Sequence, residues 1–102
     1  MNARFKDQLK QSMEYFAKLA IGEKAEKPFF LLRMNDADHA HYVKRMQEYL
    51  KREATLNQAK ITQDYSTMNA SRIKMQQIED DFYMYLSGEK ADARPSTRIV
   101  TK

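Results

Sequence analysis

Cysteine and tryptophan are absent from this 102-residue chain, and glycine and proline occur only twice each. Without cysteine there is no disulfide framework, no thiolate nucleophile and no Cys-ligated zinc. The two glycines, Gly22 and Gly88, lie too far apart to build a phosphate-cradling loop or a dinucleotide fingerprint. The longest aliphatic-aromatic runs are Phe29-Phe30-Leu31-Leu32 and Phe82-Tyr83-Met84-Tyr85-Leu86, far short of the roughly 20 residues that a membrane helix needs. The opening Met1-Asn2-Ala3-Arg4-Phe5-Lys6-Asp7 lacks the apolar core of a signal peptide, so the expected location is cytoplasmic or enclosed in a particle. The only histidines, His39 and His41, stand two apart. A serine nucleophile would need a histidine base and a turn to present it, and neither accompanies a serine here. No catalytic residue is nominated, and the expectation is a non-enzyme with no cofactor and no small-molecule substrate.

Scarcity of glycine and proline also bears on the fold. Between Pro28 and Gly88 neither residue occurs, which removes most ways of making tight turns and favours helix over many short strands. Near the start, Phe5, Leu9, Met13, Phe16 and Ala20 recur at steps of four or three, the spacing of one helical face. Gly22 follows where a left-handed C-terminal cap is expected. A helix over about residues 3–21 results. The run 29–34 reads either as a short strand or as a buried turn, and Asn35, followed by Asp36 and Asp38, suits the start of a second helix.

From there the apolar residues keep phase. At about 100° per residue, Met46, Leu50, Ala54, Ile61, Tyr65, Met68, Met75, Phe82, Tyr83 and Leu86 fall within roughly 60° of Val43. A second line, formed by Tyr42, Tyr49, Leu56, Ile78 and Tyr85, runs beside it. The simplest reading is all-α: the N-terminal helix plus one long or kinked amphipathic helix over about 36–87, some 75 Å in length. A break near Asn69, inside the poorly helix-forming Ser66–Ser71 stretch, would instead give three helices. Residues 1–87 then form a single helical domain, and 88–102 a polar, basic C-terminal tail whose segment 96–101 favours extended structure.

A two-sided apolar rod of that length exceeds what the first helix can cover, which implies another chain. The expected function is therefore a non-enzymatic helical assembly or adaptor subunit, of a phage particle or another large complex. It would pair with itself as a homo-oligomer, or with a larger protein assembly, through a seam of Val43, Met46, Leu50, Ile61, Tyr65, Met68, Met75, Phe82 and Leu86.

Charge offers an alternative. The chain carries 18 Lys+Arg against 14 Asp+Glu, a net charge of +4. Lys44-Arg45 and Lys51-Arg52 recur seven apart, and with Lys6 and Lys10 they could neutralise nucleic-acid phosphates in a small regulator. Glu48 lies four residues from both Lys44 and Arg52, which equally describes an ordinary salt-bridged face. An inhibitor of a host protein is a third reading with the same composition. In an antiparallel assembly, Glu79-Asp80-Asp81 would lie opposite the 44–52 strip of another copy. Asp36-Ala37-Asp38-His39-Ala40-His41 spreads its ligand types over two helix faces, so no metal site is expected.

Overall fold

The computed structural model describes residues 3–88 and contains three α-helices: α1 (Ala3–Ala20), α2 (Asp36–Thr62) and α3 (Tyr65–Leu86). The all-α class stands. Among the described residues there is no strand, and the 29–34 run forms a 3-10 turn over Phe29–Leu31 instead. Among the described residues no strand lies beside that run, and a helical turn lets Leu31 and Met34 both enter the core, three residues apart, while Leu32 stays outside. The predicted extended segment 96–101 and nearly all of the 88–102 tail lie outside the described residues.

Each helix end follows from local chemistry. α1 closes at Gly22, whose φ of 85° is open to a residue without a Cβ. Its N–H bonds the Leu19 carbonyl at 3.1 Å, and the Glu23 N–H reaches back to Lys18 at 2.9 Å, a double closure of the last turn. α2 opens on Asn35, whose Oδ1 accepts from the Asp38 N–H at 2.7 Å.

The predicted single helix over 36–87 is broken. Gln63 takes a left-handed conformation at φ 58° and ψ 36°, and Asp64 caps the next helix by accepting from the Thr67 N–H and hydroxyl at 3.2 and 2.6 Å. These two bonds hold the Asp64 carboxyl below its usual pKa. The reversal therefore falls six residues before Asn69, and the Ser66–Ser71 stretch is helix inside α3. Gln63 bears the backbone strain of the turn, since a side chain at positive φ crowds its own carbonyl. Gln63→Gly is expected to raise stability by about 0.5–1 kcal/mol, visible as an upward shift of the urea midpoint; an unchanged or lowered midpoint would contradict the turn geometry.

α2 and α3 pack antiparallel. The Tyr42 hydroxyl donates to the Asp81 carbonyl at 3.3 Å, Arg45 Nε donates to Asp81 Oδ2 at 3.1 Å, and the Tyr49 hydroxyl donates to Glu79 Oε2 at 3.1 Å. The pairing expected between the 44–52 strip and the acidic cluster of another copy is thus made inside one chain. α1 then lies across the open end of the hairpin. Phe16, fully buried, meets His39, Tyr42 and Phe82 at ring distances of 5.2, 6.1 and 5.6 Å, and Phe5 meets Tyr83 at 5.0 Å.

The two sequence stripes acquire separate jobs. Tyr42, Leu56 and Ile78 of the second line are buried in the α2–α3 seam. Met46 and Phe82 of the first line are buried on the side that α1 covers, with Val43, Leu50 and Leu86 packed around them. The inference that a second chain must cover an unbroken rod therefore falls: folding back hides much of the surface within one chain.

Tyr15 and His39 join α1 to α2 through a 2.7 Å hydrogen bond between the phenol oxygen and Nε2. Burial lowers the His39 pKa from 6.5, Lys27 adds to that effect, and Asp36 opposes it. Burial likewise raises the Tyr15 hydroxyl. The unfolded chain therefore binds this proton first, so stability falls as pH drops below about 6.5 towards the folded pKa. Thermal melts of wild type and His39→Gln should converge as pH falls from 7.5 to 5. Parallel curves would exclude His39 as the cause.

Candidate functional site

The open side of the molecule is a groove of about 490 Å³ between α1 and the hairpin. Leu9, Met13 and Ala17 form its α1 wall; Met46, Tyr49 and Leu50 form the floor and the α2 wall. These residues come from one edge of each helix. On α1 the residues aimed most directly inwards are Ser12, Tyr15 and Phe16, all buried, which leaves the Leu9–Met13–Ala17 edge to face the groove. Lys6, Lys10 and Glu14 rim the α1 side, with Glu53 and Glu79 across from them.

The Tyr49 hydroxyl is pinned against the Glu79 carboxylate. Burial, followed by the charge of Glu79 and the hydrogen bond to it, pushes the Tyr49 pKa up to about 12. It stays a neutral donor through the physiological range, holding the groove floor at the α2–α3 junction.

Beyond the groove, towards the hairpin turn, the same stripe continues without α1 on top. Ile61 is 77% exposed and Tyr65 is 67% exposed, on either side of the turn, and Met68 and Met75 are half-buried. The nine seam residues expected from the sequence thus divide in two. Met46 and Phe82 belong to the core, with Val43, Leu50 and Leu86 against it; Ile61, Tyr65, Met68 and Met75 lie along the uncovered distal half.

The six expected phosphate contacts are not gathered on one face. Lys6 and Lys10 rim the groove, whereas Lys44 and Lys51 are exposed on α2 about 140° or more from Met46 around the helix. Arg45 is held by Asp81 and by Glu48, the latter at 3.4 Å, and Arg52 meets Glu48 at 3.7 Å. His39 and His41 also go to separate partners, His39 to Tyr15 and His41 to Asp81 at 3.3 Å.

Two features had no counterpart in the sequence reading. One is the groove, which needs the angle between α1 and α2 and has no one-dimensional signature. The other is the exposure of Ile21, Phe29 and Leu32, at 62, 73 and 66%; for the last two the signal was the apolar run itself, half of which faces out. No helix among the described residues is long and apolar enough to cross a membrane. Comparison with protein-family models, with curated proteins and with solved structures finds no match to this chain.

Proposed function

We propose that this protein is a non-enzymatic helical assembly or adaptor subunit, and that its binding surface is the α1–α2 groove together with the uncovered distal seam. The observation that carries the reading is a shared face: Met13, Met46 and Leu50 line the groove, and Ile61 lies on the Leu50 face of α2 beyond the exposed Ala54 and Asn57, with Tyr65 across the turn. Ile61 and Tyr65, exposed on that face, contribute little to the packing of their own chain, and an apolar groove with a charged rim is a usual seat of an amphipathic helix. The half-buried methionines suit it further, because an unbranched thioether adapts to the surface it meets.

A site-specific photocrosslinker tests this reading in cells that make the protein. Placed at Ile61, it should give adducts with polypeptide; placed at Lys44, on the far side of α2, it should give few. Adducts with nucleic acid from Lys44 would support the rival regulator instead. That rival now rests chiefly on Lys44 and Lys51, as Arg45 and Arg52 are engaged in ion pairs. Absence of polypeptide adducts at Ile61 would end the adaptor reading.

A further inference from the structure

We infer that the occupant of the groove is a second copy of this chain, whose distal α2 segment lies antiparallel in it. The inference rests on the adaptor reading and names the partner for that surface.

Periodicity is the first support. Leu50 and Ile61 are eleven residues apart, so they share a helix face to within about 20° and lie about 16 Å apart along α2. A two-fold axis crossing α2 midway between them places Ile61 of each copy on Leu50 of the other. One such axis therefore covers the most exposed apolar side chain of that face and fills the groove at the same time, twice. An isologous contact closes on itself and leaves no open end to grow from.

Charge is the second. Residues 54–65 carry one base and one acid, Lys60 and Asp64. Laid antiparallel about that axis, Lys60 comes beside Glu53 of the other copy, and Asp64 comes beside Lys10 on the α1 rim. All four side chains belong to exposed residues and none is held in an ion pair shown for this chain.

Size is consistent with reversible pairing. From Met46 to the turn, two helices side by side present on the order of 500 Å² per copy. That total lies at the low end of specific interfaces, where complexes form and part readily.

Sedimentation equilibrium of the full purified chain tests the proposal. A monomer–dimer equilibrium is expected, with dimer predominant at protein concentrations on the order of 100 µM. Ile61→Asp should leave only monomer, while circular dichroism shows the helices intact. Lys60→Glu and Glu53→Lys should each weaken the dimer about fivefold, and the double variant should recover most of that loss because each copy then presents the reversed pair. A chain that remains monomeric throughout, a dimer indifferent to Ile61→Asp, or a double variant no better than the singles would overturn the proposal. A monomer that still gives Ile61 adducts with a different polypeptide would remove the second copy and leave the adaptor reading in place.

Discussion

Phe16→Ala is expected to lower stability by about 3–5 kcal/mol, a large part of the total for a domain of this size, since small domains are stable by only about 5–15 kcal/mol. Phe16 is fully buried and is the side chain at which all three helices meet, touching Tyr15 on α1, His39 and Tyr42 on α2 and Phe82 on α3. Truncation loses both the transfer free energy of the ring and the contacts of the four rings around it, which relax only partly into the space. In urea the midpoint should fall by roughly 2–3 M at an ordinary slope. Phe16→Leu, which keeps most of the volume, should cost much less, near 1.5 kcal/mol. A loss below about 1 kcal/mol for the alanine variant would show that α1 does not dock on the hairpin as described.

That three-helix junction shows what periodicity could reveal and what it could not. The face of α1 was legible, because Phe5, Leu9, Met13 and Phe16 declare it by spacing alone. Both apolar lines along 42–86 were legible too. Their partners were not. Phase continuity from Val43 to Leu86 suggested one rod, yet only Gln63 and Asp64 separate α2 from α3, and so short a connection need not shift the phase that a reader sees. The stop signal was weak because the left-handed residue is Gln63 rather than glycine. The start signal was present in Asp64 and Thr67, an acceptor three residues ahead of an N–H it could cap, but Ser66, Asn69 and Ser71 after it drew the expected break downstream.

The site was legible in part for the same reason. Of the contact residues expected from spacing, Ile61 and Tyr65 stand exposed on either side of the hairpin turn, and Met68 and Met75 are half-buried on α3. Val43, Met46, Leu50, Phe82 and Leu86 carried the same pattern and pack in or against the core. Spacing identifies an apolar face; only the position of α1 decides which part of that face is already covered. Charge was harder still. The 44–52 strip looked like one basic surface, whereas the helix turns Arg45 and Arg52 towards Asp81 and Glu48 and leaves Lys44 and Lys51 outside.

Asp81→Lys should be nearly as damaging as loss of Phe16, with a cost of about 3–5 kcal/mol. The Asp81 side chain is 9% exposed and receives Arg45 Nε at 3.1 Å and His41 Nε2 at 3.3 Å. A lysine there would set two cations against each other where water screens them poorly, and would leave the Arg45 head without its carboxylate. Asp81→Ala removes the partner without adding a charge; because Arg45 is 28% and His41 49% exposed, solvent compensates in part, and about 2 kcal/mol is expected. Combining Arg45→Asp with Asp81→Arg should recover 1–2 kcal/mol relative to the sum of the single changes, on the order usual for contacting charges. The neighbouring Asp80 supplies the control: it is exposed and accepts from Gln76 within its own helix at 3.0 Å, so Asp80→Lys should shift stability by no more than about 0.5 kcal/mol. Equal effects at the two aspartates in urea denaturation would mean that Asp81 does not face α2, and the antiparallel register of the hairpin would have to be redrawn.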